Sequence, residues 1–428
     1  MHSKQQPCSL VFHTTWCPAL AIAIAIALTI ALALTLTQSA QAQTYTVLYN
    51  FTGGQDGAYP EAGLTMDRSG NLYGTAYEGG ASNRGSVYKL AHRGGGWVFS
   101  PLYNFTGQED GGVPIAGGVF GPNGTLYGTT EFGGHDCGEG CGTVFNLRPP
   151  ATICKTILCP WTETVTYGFN GSGDGANPGY GDLTFDQAGN IYGTTYFGGN
   201  NNADGVVYEL TPANGGWTES AIHTFNGTSD GANPYSSVIF NAAGNLYGTT
   251  FAGGAHGYGT VFQLTPSGSG WAENTLYAFQ SSTDGGKPFG GVVFDNAGNL
   301  YGATSSGGAG SGGTAYELMP SNGSWIFGLL YSFTGSANLP GAYDSLTMDA
   351  AGNLYGTTTK DGAHAAGSVF KLTPANGGWT ETDVYDFASG SGGAVPYGSV
   401  LIDTSGNLYG TASAGGANGY GVIWEITP

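Results

Sequence analysis

Gly244-Asn245-Leu246-Tyr247-Gly248-Thr249-Thr250 is a phrase that the chain repeats, with small variations, seven times. Its tyrosines are Tyr73, Tyr127, Tyr192, Tyr247, Tyr301, Tyr355 and Tyr409. Five of the six intervals between them are 54 or 55 residues, and the sixth, from Tyr127 to Tyr192, is 65. A fixed period of this length marks a repeat architecture, in which each unit is one supersecondary element packed on its neighbours.

One unit is clearest from Gly291 onward. Val292-Val293-Phe294 and Leu300-Tyr301-Gly302-Ala303-Thr304 are β-prone runs joined by Asp295-Asn296-Ala297-Gly298-Asn299. They read as a hairpin, with Gly supplying a positive φ and Asp capping the turn. After Gly307-Gly308 and a loop, Thr314-Ala315-Tyr316-Glu317-Leu318 gives a third strand. The turn Pro320-Ser321-Asn322-Gly323 then delivers Trp325 into a fourth, ending at Phe333. Four strands of about five to eight residues make one propeller blade.

The two ends decide the architecture. Six units carry a Trp-led fourth strand, at Trp97, Trp161, Trp217, Trp271, Trp325 and Trp379, whereas the last unit stops after its third, Val422-Ile423-Trp424-Glu425-Ile426. The missing strand stands at the front, where Tyr45-Thr46-Val47-Leu48-Tyr49-Asn50-Phe51 follows the fourth-strand pattern. The prediction is an all-β, seven-bladed β-propeller of four-stranded blades over residues 43–428, closed by strand 45–51 completing the last blade. Closure pairs backbone groups that an open array would leave as edges. With the first strand lining the channel and the fourth outside, the fourth-to-first and second-to-third loops share one face.

The Pro-x-x-Gly run before Asp-x-x-Gly-Asn-Leu-Tyr resembles NHL-type propeller blades, and the order Gly79-Gly80, Tyr88, Trp97 resembles kelch repeats. Across all seven units the chain is most similar to the GloVer tandem repeat of bacterial "choice-of-anchor" exported proteins. That resemblance implies export and surface display, and no assigned activity. Members often carry a C-terminal sorting segment, whereas this chain ends at Pro428 within the repeat.

An apolar run from Ala19 to about Leu36 ends in Ser39-Ala40-Gln41-Ala42, where Ala40-x-Ala42 fits a signal peptidase site. Residues 1–42 are therefore expected to be a removed signal peptide. The alternative is an uncleaved anchor; beyond Ala42 no run is long enough to span a membrane. With 29 acidic against 10 basic residues and a net charge of −19, the chain would be repelled by nucleic acid and anionic lipid. Charged residues are only 9% of the chain, yet 13% are aromatic at fixed spacing, which argues for a packed fold rather than disorder. The recurrent aromatics read as core, with Leu246 and Tyr247 buried on opposite faces and Gly248 letting the next sheet approach.

Candidate sites are few. Phe-x-x-x-x-Asp-Gly places Asp56, Asp110, Asp174, Asp230 and Asp284 at equivalent loop positions of five blades, while Asn338 and Gly392 break the set. Such a partial ring could take Ca²⁺ or a cationic ligand. Asn170-x-Ser172-x-Asp174-Gly175 resembles the start of a calcium loop but has Gly181 where the twelfth-position carboxylate belongs. The competing reading is that each Asp caps its own turn.

Cys137, Cys141, Cys154 and Cys159 lie in two insertions that lengthen the second blade. A four-Cys zinc site is the competing reading, disfavoured by the strand Gly142–Leu147 between the pairs, which would hold them roughly 20 Å apart. Two local disulfides, Cys137 to Cys141 and Cys154 to Cys159, suit an exported chain. His135, His256 and His364 share a face but belong to alternate blades, and read as exposed loop residues. No Ser-His-Asp set and no pair of carboxylates unique to one blade stands out. Glu131, His135, Asp136 and Glu139 are the only local cluster that breaks the repeat.

The favoured reading is a non-enzymatic binding or surface-structural module, a monomer without a required cofactor, that meets a protein or carbohydrate partner at the cell surface. A carbohydrate-active enzyme, a glycoside hydrolase or lyase, and a calcium-stabilised scaffold are the alternatives.

Overall fold

The computed structural model describes residues 43–134, 137–138, 140–151, 160–199, 203–268, 270–334 and 341–428. The expected signal peptide lies outside the described residues. Within them stand seven four-stranded antiparallel sheets, six of them in simple chain order and the seventh completed by the first strand of the chain. The first blade runs Thr65–Met66, Leu72–Ala76, Ser86–Arg93 and Gly96–Asn104. The seventh takes Leu401–Ile402, Leu408–Ala412 and Val422–Thr427 from the C-terminal end and Thr44–Asn50 from the N-terminal end. Thr44 pairs with Thr427 and Asn50 with Val422, so the ring closes as the sequence implies.

Strand order also follows the expectation, because residues just before the first strands of all seven blades line one central cavity. The first strand is shorter than expected, at two residues in every blade. Where seven blades converge, the segment before it leaves its own ladder and serves the neighbouring blade. Thr75 Oγ1 donates to Ala116 O at 3.0 Å, Thr194 to Ser236 O at 2.8 Å and Thr249 to Gly290 O at 2.9 Å. Thr411 repeats the bond to Ala62 O at 2.8 Å across the closure.

Leu and Tyr of the second strand are buried on opposite faces, as at Leu72 and Tyr73. The glycine that follows does something other than admit the next sheet. A Cβ on Gly248 would lie 2.7 Å from the ring of Phe262, its cross-strand partner in the same blade. The same ring-over-glycine contact recurs at Gly74 with Tyr88, Gly193 with Tyr208 and Gly410 with Trp424. A bulge in the third-to-fourth pairing next to each of these rings raises the local twist. The Trp that opens the fourth strand leans on the second-strand Tyr of the preceding blade, as in Tyr192 with Trp271 and Tyr247 with Trp325, both at 6.2 Å between centroids.

The hairpin turns are capped as their composition requires. Asp67 Oδ1 accepts from Ser69 N and Asn71 N at 2.8 and 3.0 Å, and Asn71 Nδ2 donates to Oδ2 at 2.7 Å. The fourth-to-first and second-to-third loops meet on one face, bridged by Ala58 with Glu78, Gly112 with Phe132 and Ala232 with Ala252.

The glycine contact makes a paired prediction. Gly248→Ala should destabilise the fold by about 1–3 kcal/mol, the usual cost of an extra methyl in a packed site. Tyr208→Phe should be neutral or stabilising, because the buried Tyr208 hydroxyl has no hydrogen-bond partner and Phe145, Phe262 and Phe370 fill the same column. Urea unfolding of the two variants checks both signs.

Candidate functional site

The five loop aspartates occupy equivalent places on the face carrying the fourth-to-first loops, and each accepts from its own turn, although Asp174 Oδ1 has no partner. Asp56 accepts from Thr52 N at 2.8 Å, Gly54 N at 3.2 Å and Tyr49 OH at 2.9 Å. Asp110 does so from Thr106 N and Tyr103 OH, and Asp284 from Gln280 N and Tyr277 OH. Asp174 accepts from Asn170 N and Tyr167 OH, each at 3.0 Å. Asp230 accepts from Asn226 N and faces His223 Nε2 at 3.3 Å. Among the described residues no three His, Cys, Asp or Glu side chains are grouped to hold a metal ion.

Cys137 and Cys141 are joined in a disulfide with their Cα atoms 5.5 Å apart. Cys154, Cys159, His135, Asp136, Glu139 and Asn338 lie outside the described residues. His256 and His364 are exposed, on separate blades.

The described residues converge elsewhere, on the propeller axis. After the fourth-to-first loop each blade turns one side chain inward, in order Glu61, Ile115, Tyr180, Tyr235, Phe289, Tyr343 and Tyr397. The five aromatics form a continuous girdle. Centroids are 4.4 Å apart for Tyr180 and Tyr235, 4.9 Å for Tyr235 and Phe289, 4.2 Å for Phe289 and Tyr343, and 4.7 Å for Tyr343 and Tyr397. They surround a cavity of about 160 Å³, far more than the ~10–15 Å³ that one water needs.

Two carboxylates from non-adjacent blades line the same cavity. Asp182 stands where other blades carry Gly63, Gly117 or Ser237, and Asp344 where they carry Ala62, Ala116 or Ser236. The sequence reading looked for a pair within one blade, whereas these two come from different blades. Asp182 is reached by water in the lumen yet has protein around it, and receives one hydrogen bond, from Gly117 N at 2.8 Å. Asp344 accepts from Ser345 N at 2.6 Å and Ser399 N at 2.8 Å.

The model of the Gloeobacter/Verrucomicrobia repeat matches residues 34–164, 152–343 and 273–428. The chain belongs to this repeat family. No curated protein matches it. Among solved structures, one from Thermus thermophilus provisionally named an oxidoreductase (glucose dehydrogenase) is 14% identical, with 90% of this chain and 100% of that one covered at a TM-score of 0.44. Two provisionally named 6-phosphogluconolactonases are comparably distant. The protein from Bacteroides fragilis is 14% identical at TM-score 0.49, covering 91% of this chain and 99% of its own. That from Bacteroides uniformis is 15% identical at 0.45, covering 87% and 90%. Likenesses this distant carry no argument about activity.

In this member of the Gloeobacter/Verrucomicrobia repeat family the pKa values of the carboxyls at and beside the axis are raised. Burial, with Glu131 and Glu78 nearby, raises Glu61 to about 7. Burial raises Glu131 to about 7 against a 3.5 Å hydrogen bond from Tyr180 OH. Burial and the Asp344 charge raise Asp182 to about 6. Sequence reasoning found Glu131 only as part of the insertion cluster and missed the girdle. The available signal was the column four residues before the first strand of each blade, which varies among Glu, Ile and aromatic residues.

Groups raised on folding stabilise fully below their unfolded pKa and lose that contribution as pH rises through the folded value. Stability to urea should therefore fall from about pH 4.5 to about pH 7. It should also fall in stronger acid: burial opposes ionisation of Asp67 and Asp349, but their turn hydrogen bonds outweigh it and hold both carboxyls low. Urea midpoints across this range should show a maximum on the acid side of neutrality, and Glu61→Gln should flatten the alkaline limb.

Proposed function

We propose that the protein is an exported binding module whose ligand, carried by a protein or carbohydrate partner at the cell surface, enters the axial channel from the face bearing the fourth-to-first loops. The carrying observation is the contrast between columns of the repeat. The second-strand Leu-Tyr-Gly motif recurs almost unchanged because it packs blades together, whereas the axial column places a different functional surface in one cavity. Concave, largely aromatic cavities with a few convergent polar groups are the usual form of a ligand site. Export is supported by the apolar N-terminal run ending in Ala40-x-Ala42 and by the Cys137–Cys141 disulfide.

A second reading, an enzyme acting on glycosides, is favoured by Asp182 and Asp344 alone. Two carboxyls with separate environments at one cavity are the equipment of acid-base glycoside chemistry. Asp182, lifted by burial and by Asp344, is the candidate acid.

A thermal-shift screen of glycans, amines and Ca²⁺ tests the module. A ligand that stabilises the wild type should lose its effect in Tyr343→Ala and keep it in Asp110→Asn. The opposite pattern would move the site to the aspartate loops. Hydrolysis of an aryl glycoside that disappears in both Asp182→Asn and Asp344→Asn would replace the binding reading with the enzymatic one.

A further inference from the structure

The axial cavity combines two features that are costly together without a ligand. Its wall includes Glu61, Asp182 and Asp344, with Glu131 against Tyr180, yet no Lys, Arg or His lines it. The described ion pair of Lys89 with Asp67 and the contact of His223 with Asp230 lie elsewhere. Uncompensated carboxylates in a confined, aromatic-walled space are unfavourable, and their pKa values are raised accordingly. A ligand that removes the need for protonation would gain from every carboxylate it meets.

Resting on the reading of the axial channel as the ligand site, we propose that its ligand is an organic cation, an alkylammonium or quaternary ammonium group. The group would sit against the faces of the Tyr235–Phe289–Tyr343–Tyr397 girdle, with Glu61 and Asp344 as counter-charges. Aromatic faces attract such cations most strongly where water is excluded. Lys287 already shows the chemistry at the girdle's edge, its Nζ lying 5.4 Å from the centroid of Phe251, which packs on Phe289 at 4.6 Å.

Other ligand classes fit less well. An anion meets only carboxylates and hydroxyls. A divalent metal lacks a grouped set of three or more carboxylate or imidazole ligands among the described residues. A neutral sugar would find acceptors and hydroxyl donors, but no amide or guanidinium side chain in the cavity wall and no relief of the buried charge. The cation alone uses the rings and the carboxylates together.

Binding should release protons. The groups facing Glu61 are Glu78 and Glu131, with Tyr77, Tyr180, Tyr343 and Tyr397 around them, and Asp344 and Asp182 share the cavity. None supplies positive charge. Affinity therefore rises as the carboxyls ionise.

Isothermal titration of the purified protein with tetramethylammonium, choline and 1,4-diaminobutane, at two pH values and in two buffers of different ionisation heat, tests this. The uncharged choline isostere 3,3-dimethylbutan-1-ol and a glucan oligosaccharide serve as controls. At least one cation should bind about tenfold or more tightly at pH 8 than at pH 5.5, with proton release into the buffer. The isostere should bind weakly or not at all, and Glu61→Gln and Tyr343→Ala should each weaken the cation at least fivefold. The wild-type pH dependence stands even where a variant fails to fold. Equal binding of cation and isostere, or Tyr343-dependent binding of the glucan without any cation, overturns the cation and leaves the channel as a site. Binding of no probe at either pH overturns both.

Discussion

The close approach of an aromatic ring to a glycine is the contact on which this molecule depends. In each blade the second-strand glycine faces an aromatic of the third strand, and a Cβ there would fall within 2.3–2.7 Å of that ring. The absent side chain leaves room for Tyr88, Phe145, Tyr208, Phe262, Tyr316, Phe370 or Trp424, its cross-strand partner in the same sheet. Beside it, Leu and Tyr of the second strand are buried, as at Leu246 and Tyr247. Repeated seven times and closed by Thr44–Asn50, it gives a wheel whose blades differ little in shape.

That uniformity frees the axis. The scaffold spends its recurrent residues on blade packing, on capped turns and on threonine bonds from one blade to the next. The segments before the first strands then meet in the centre with few constraints on their side chains. Five of the seven present an aromatic ring, one presents Glu61, and two further positions carry Asp182 and Asp344. The cavity is acidic because these positions hold carboxyls without basic partners. Protonation and ligand capture are two ways of resolving the same unfavourable charge, which links the stability of the empty wheel to the chemistry of what it holds.

The fold was legible because its evidence is one-dimensional. The Tyr73-to-Tyr409 spacing, the extra strand at Tyr45–Phe51 and the missing one after Ile426 needed no knowledge of contacts. The sequence around Gly248 points to blade packing rather than to Phe262, because register is not visible in a single strand. The site was harder. Asp56, Asp110, Asp174, Asp230 and Asp284 drew notice by recurring, yet recurrence goes with a local turn need, and Thr52, Thr106, Asn170, Asn226 and Gln280 supply the backbone donors. Asp182 and Asp344 do not recur and stand in slightly different registers of two distant blades. Only the convergence of seven segments on one axis brings them together.

The most direct test is a crystal structure of the protein grown with saturating tetramethylammonium near pH 8, compared with one grown without it. The account predicts the cation inside the axial cavity, against the Tyr343 and Phe289 faces and near Glu61, with the blades unmoved. A cation seated on the aspartate loops, or an axial cavity holding only water in both crystals, would contradict it.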